Sequence, residues 1–324
     1  MTSMPVRQHP DAAAPPAAHD PAVRARDWAE IQERMLVPLH VTVHERLGVG
    51  EGTRLLGLDC GAGLALLLAS VRGAAVTGVE SAHPERLALA RERLTPREPE
   101  PGQAGPPAVL YEGEPGRLPA PAEPFTVVTA LEPVGCAPGD TARLIRRLRE
   151  AAPYARRGAR VVLTGWGPPE RCAVTALRDA VLGGPGGPDG SPGSGPEGSW
   201  GGGPEGSPGG GRDGSPDGGP GGVLDRVAAE GAGLRAAGRD DLEYAAERAG
   251  LRPDGSGRVS CPFGYPDPES ALRGLRATGL FDAPAGTDPS QTDKELQEAL
   301  HSYRRPDGTV WLPNVFRYLL ARIP

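Results

Sequence analysis

The stretch Leu55–Ser70, LLGLDCGAGLALLLAS, decides how this chain folds. A short apolar strand runs through a glycine-bearing turn directly into a helical pattern, which places bare backbone and the first amides of a helix at one point. Gly61 and Gly63 anchor that turn. Downstream, the chain alternates short apolar runs with helical patterns, as βαβ units do when they build a mostly parallel sheet. Thr53–Cys60 is read as the first strand, Ala74–Glu80 as the second, Ala108–Gly113 as the third, Phe125–Leu131 as the fourth and Ala159–Trp166 as the fifth. Helices are expected over Pro84–Leu94, where proline opens the first turn, and over Thr141–Tyr154. Upstream, Trp28, Ile31, Met35, Leu39 and Val43 recur at helical spacing and predict a helical extension ahead of the sheet.

The 48 glycines and 38 prolines among 324 residues show that part of the chain is not packed core. Residues 1–22 are rich in Ala and Pro and read as a disordered tail. Gly183–Gly222 is a low-complexity tract of Gly, Pro and Ser with irregular GSP and PEGS echoes, read as a disordered, flexible insertion. Residues 23–182 then form the cofactor-binding part of one domain and residues 223–324 complete it. Strands are expected at Gly257–Phe263 and Val315–Ile323, and helices over Asp240–Ala249, Asp267–Thr278 and Asp293–Tyr303. The fold class is therefore α/β: a Rossmann-like, seven-stranded, mostly parallel sheet with helices on both faces.

Acidic residues outnumber basic ones, 41 to 35, for a net charge of −6, and no basic run follows a phosphate backbone, so nucleic acid is not an expected partner. The four cysteines Cys60, Cys136, Cys172 and Cys261 form no CxxC pair and read as isolated thiols. The amino-terminal residues hold no apolar core of a signal sequence and no apolar stretch has the length of a membrane span, so a cytoplasmic protein with no membrane contact is expected.

Glu80 closes the second strand 21 positions after Asp59, the spacing at which an acid reaches ribose hydroxyls in folds of this kind. On Gly57-Leu58-Asp59-Cys60-Gly61-Ala62-Gly63, on VTGVESAHPERLALAR and on FTVVTALEP, the chain resembles the class I S-adenosylmethionine-dependent methyltransferases. It is similar in particular to small-molecule methyltransferases of actinobacterial biosynthetic clusters, including enzymes that methylate 2-oxoglutarate. The resemblance covers about Trp28 to Trp166 and, more weakly, the closing PNVFRYLLARIP. It implies S-adenosyl-L-methionine as cofactor, held by Asp59, Cys60, Gly61, Gly63, Glu80, Ser81, Glu114 and Leu131, with Glu114 at the adenine amino group. The chain departs from the family in two ways. Gly57 stands where an acid is usual and Asp59 where the first glycine is usual, and Thr126 replaces a common Asp. Gly57 and Asp59 face the same way along a strand, which moves the carboxylate one step toward the ligand or sets it in the ligand's path.

Methyl transfer from a sulfonium needs alignment and exclusion of water, and a general base only when the acceptor must lose a proton. Glu132, just beyond the fourth strand, and His40, which shares a helix face with His44, are the candidate catalytic residues. The two histidines lack a third ligand, so no metal is expected. Trp166, Arg171, Phe263 and Tyr265 lie in loops after strands five and six and are the candidate acceptor pocket, where arginine suits a carboxylic or keto acid. Two other readings stand beside this one. One is an NAD-dependent oxidoreductase, against which Leu66 occupies the position of a third glycine; the other is a binding protein that kept the fold and lost the cofactor.

Overall fold

The computed structural model describes residues 20–95, 108–137, 139–182, 241–282 and 288–324. The insertion Gly183–Gly222 and residues 1–19 of the tail lie outside them. The tail ends earlier than its composition implies, because Asp20 caps a helix: its carboxylate accepts the amide of Ala22 at 2.9 Å, and Pro21 opens α1 (Pro21–Asp27). A π-turn at Trp28–Gln32 and a 3-10 turn at Glu33–Leu36 lead into α2 (Val37–Leu47).

The Rossmann-like sheet follows. Strand β1 (Arg54–Leu58) is buried almost throughout and leads into α3 (Leu64–Val71); β2 (Ala75–Glu80) leads into α4 (Pro84–Leu94). Next come β3 (Val109–Glu112), β4 (Phe125–Val134), α5 (Asp140–Ala151), β5 (Ala155–Trp166) and α6 (Ala173–Leu182). After the insertion, α7 (Asp241–Arg248) precedes β6 (Arg252–Ser260), a short β7 (Phe263–Tyr265), α8 (Pro268–Ala277), α9 (Pro289–Ala299), β8 (Val310–Leu312) and β9 (Val315–Arg322). Seven strands form one sheet in the order β3-β2-β1-β4-β5-β9-β6, with β9 antiparallel to both its neighbours and the rest parallel. Apolar side chains pack on both faces: α2, α3 and α6 lie over one, α5 and α7 over the other.

The expected sixth strand, Gly257–Phe263, is a correction. It crosses Pro262, which has no N–H to give to a ladder, so the chain breaks there. The sheet strand instead extends backward to Arg252 through exposed residues on the sheet edge, where Pro253 is tolerated, and Phe263 starts a separate two-stranded sheet with Val310–Leu312. The helix expected to start at Asp293 starts at Pro289, capped by Asp288, whose carboxylate accepts the amide of Ser290.

Residues after the insertion are stitched to those before it by Asn314, which is almost fully buried. Its side-chain oxygen accepts the amide of Val174 at 3.0 Å and the Cys172 thiol at 3.2 Å, while its amide nitrogen donates to the carbonyl of Leu312 at 3.1 Å. Asn314→Ala would strand a buried amide and a buried carbonyl. We expect it to lower the unfolding free energy by about 1–3 kcal/mol in urea denaturation; an unchanged midpoint would mean that this junction does not hold the two segments.

Candidate functional site

Strands β1, β2 and β4 run parallel in register, with Leu58 beside Val79 and Ala130, so the residues that follow each of them emerge along one edge. Open α/β sheets bind ligands at this carboxyl edge. A cleft of about 490 Å³ lies there, with Asp59, His83, Glu132 and Arg143 in its walls. A smaller cavity of about 40 Å³, lined by Cys60, Gly61, Glu80, Leu131 and His40, adjoins it through the shared residues Asp59, Arg86 and Glu132.

Glu80 is 2% exposed. One carboxylate oxygen accepts the amides of Ala82 at 2.9 Å and His83 at 3.1 Å; the other accepts the amide of Gly61 at 3.0 Å. This acid therefore ties the turn after β1 to the turn after β2. Burial pushes its carboxyl above the ordinary range, the charge of Glu132 adds to that, and the three amides oppose it. Gly61 has φ +54°, and a Cβ there would sit 3.3 Å from the indole nitrogen of Trp28, so the turn lies tight against the amino-terminal extension. Gly63 packs instead against α4, where its Cβ would come within 2.9 Å of Ala90.

Asp59 is the single non-glycine residue with positive φ, +50°, among the described residues. That strained backbone presents its carboxylate to Arg147 of α5 in an ion pair. The same guanidinium donates to the Ser81 hydroxyl and lies 3.4 Å from a carboxylate oxygen of Glu114. Three residues read from the sequence as cofactor contacts, after three different strands, thus converge on one buried cation. Sequence reasoning missed Arg147, although a signal was there: it shares the inward face of α5 with Leu144, Leu148 and Ala151 and is the charge on that stripe.

The amino-terminal extension also enters the site. Glu33, buried, accepts the amide of Leu64 at 3.3 Å at the start of α3 and pairs with Arg93, which also donates to the carbonyl of Ala62 at 2.7 Å. Burial raises its carboxyl above the usual range even against Arg93. Trp28 stacks under the guanidinium of Arg86 at 4.1 Å, and its indole nitrogen has no partner among the described residues. No local pattern marks Glu33, whose contact lies 31 residues along the chain.

Of the candidate bases, Glu132 lines both cavities and His40 only the smaller. His40 is enclosed; burial, with the neighbouring His44, pushes it down to about 3, far from the range in which a base works at neutral pH. The proposed acceptor residues are not at the cleft. Trp166 packs on Phe316 at 4.7 Å and on Phe263 at 6.2 Å inside the core, the hydroxyl of the buried Tyr265 donates to Gln32 at 2.9 Å, and Arg171 lies exposed beyond β5. Trp166 ends β5, Phe263 and Tyr265 belong to β7 and Arg171 follows β5, whereas the cleft sits over β1, β2 and β4. No group of three or more metal-ligating side chains occurs among the described residues, and none of their helices is long and apolar enough to cross a membrane.

No protein-family profile and no curated protein sequence matches the chain. Among solved structures it is similar to a Bacillus halodurans protein provisionally named a methyltransferase, at 13% identity over 88% of this chain and 98% of that one, with a TM-score of 0.48. It is similar also to the cyclase SpnF, at 16% identity over 88% and 80% with a TM-score of 0.45. A third similar structure is the geranyl diphosphate C-methyltransferase of Streptomyces coelicolor, solved with Mg2+, geranyl diphosphate and S-adenosyl-L-homocysteine, at 14% identity over 90% and 82% with a TM-score of 0.42. Likenesses this distant do not bear on the chemistry of this chain.

Neither ring nitrogen of His44 has a partner among the described residues, and burial, with the charge of Arg72, lowers it to about 4. A folded-state value below the unfolded 6.5 means that the unfolded chain binds the proton better, so stability present above pH 6.5 is lost as pH falls toward 4. His44→Leu should reduce the acid slope of the unfolding free energy by about 1.4 kcal/mol per pH unit between pH 6 and 4.5. An unchanged slope in urea titrations would show that the folded chain admits the proton.

Proposed function

We propose that the chain is an S-adenosyl-L-methionine-dependent methyltransferase acting on a small molecule. The observation that carries this reading is the convergence of Asp59, Ser81 and Glu114 on the guanidinium of Arg147 at the carboxyl edge of the sheet. A group of acceptors built around a cation suits a ligand that is cationic at its ammonium and sulfonium and offers hydroxyl donors at its ribose. Arg147 is a stand-in for those charges. The adjoining cleft has the volume of a small-molecule site, and Trp28 contributes an unpartnered buried donor beside the glycine turn.

Bound there, S-adenosyl-L-methionine would supply a methyl group for in-line displacement. Asp59 would hold the ammonium group, Glu114 and Ser81 would meet the adenosine, and Gly61 would give close backbone approach. Glu80 fixes the glycine turn through three amides, and the oxygen that accepts only the amide of Gly61 keeps room for a ribose hydroxyl. Glu132, between the two cavities, is placed to take a proton from an acceptor that must lose one; once an acceptor is in hand, Glu132→Gln should lower turnover 10²–10⁴-fold without weakening the cofactor.

A dinucleotide site is disfavoured by Leu66, whose side chain fills the space over Gly57 and Gly78; a Cβ on either would come within 2.8 Å of it. A second reading, a binding protein that no longer takes the cofactor, draws on Glu33, whose carboxylate already caps α3 at Leu64.

Calorimetric titration of the full chain with S-adenosyl-L-methionine, S-adenosyl-L-homocysteine and NAD separates these readings. The proposal expects binding of the first two and not of NAD. It further expects about tenfold weaker binding in Asp59→Asn, and binding at least as tight as wild type in Arg147→Ala, where the competing cation is gone. No binding by wild type, with clear binding by Asp59→Gly, would sink the enzyme reading in favour of a fold that has lost its cofactor.

A further inference from the structure

Arg24 of α1, Arg86 of α4 and Arg143 of α5 come from three separate elements to the wall of the same cleft, and His83, just before α4, lines it with them. Their surroundings differ. Arg24 pairs with Asp282 at 3.0 Å. Arg86 is buried, stacked on Trp28 and donating to the carbonyl of Ala277 at 2.7 Å. Arg143 has no ion pair and no side-chain hydrogen bond among the described residues, although it is half-buried. The nearest acid on its own helix, Asp140, is spent on the backbone: one of its oxygens accepts the amides of Gly135, Cys136 and Ala137.

We infer that this lobe of the cleft is an anion site, in which Arg143 grips a carboxylate or phosphate of the acceptor and the His83 ring is a hydrogen-bond partner beside it. Planar guanidinium matches both anions in bidentate fashion, and arginines crowded into a partly closed cleft concentrate the positive potential. The state of His83 agrees. Burial and the charges of Arg86, Arg24 and Arg143 push it down to about 4, although Asp59, Glu85, Glu132, Asp140 and Asp282 also line the cleft. That the anion belongs to a methyl acceptor rests on the methyl-transfer reading; the anion site does not.

The test is histidine-selective NMR of the full chain, titrated with inorganic phosphate and separately with succinate, against sodium chloride at matched ionic strength. His83→Gln assigns the signal. Saturable shifts of His83 with succinate alone, phosphate alone or both support the site and tell which anion it prefers, and the bound anion should raise the His83 pKa by at least one unit. Arg143→Ala and Arg143→Gln should each weaken that binding at least tenfold with unchanged melting temperature, while Arg143→Lys retains part of it. No saturable shift with either anion, or equal binding in the Arg143 variants, overturns the proposal. Titration of the same samples with S-adenosyl-L-methionine keeps the two readings apart: anion binding without cofactor binding leaves this site standing and removes methyl transfer, and the converse does the reverse.

Discussion

The carboxylate of Glu80 is the constraint on which the site depends. It is buried, costly to charge, and collects three backbone amides from two separate turns. Through Gly61 it sets the glycine turn at the head of α3; through Ala82 and His83 it sets the approach to α4. The two walls of the cleft are thus referenced to one side chain. A buried acid with this number of donors is a rigid joint, and the strained backbone of Asp59 beside it can persist because the surroundings over-determine it.

The amino-terminal extension is a working part of this site. Its π-turn places Trp28 against the glycine turn, the 3-10 turn after it sets Glu33 at the first amide of α3, and α1 brings Arg24 to the cleft. Local departures from regular helix of this kind are common where a helix carries function. Glu33 occupies a position at which helix amides attract an anion, so the chain supplies internally a charge that other folds leave to a ligand.

Charge is arranged by element. Asp59 and Glu114 emerge after β1 and β3 and surround Arg147, while Arg24, Arg86 and Arg143 project from three helices around His83. Because α5 carries both Arg143 and Arg147 one turn apart, any movement of that helix alters both lobes together.

What the sequence determined by itself is the order of elements and the glycine turn. Strand-helix alternation, the proline at Pro84 and the spacing from Asp59 to Glu80 are local signals, each set by periodicity or by a backbone requirement within a few residues. They located the sheet and the edge where the site lies. Only the tertiary structure decided what Glu80 holds, which cation Asp59 meets, and that Trp166, Phe263 and Tyr265 are core while Arg143 and His83 line the cleft. Those outcomes depend on contacts between residues far apart in the chain, such as Arg147 with Asp59 and Tyr265 with Gln32. A loop position gives no sign of which strand's end it will cover, because the crossing of strands and the burial of a charge are settled by packing on both faces of the sheet rather than by neighbours in sequence.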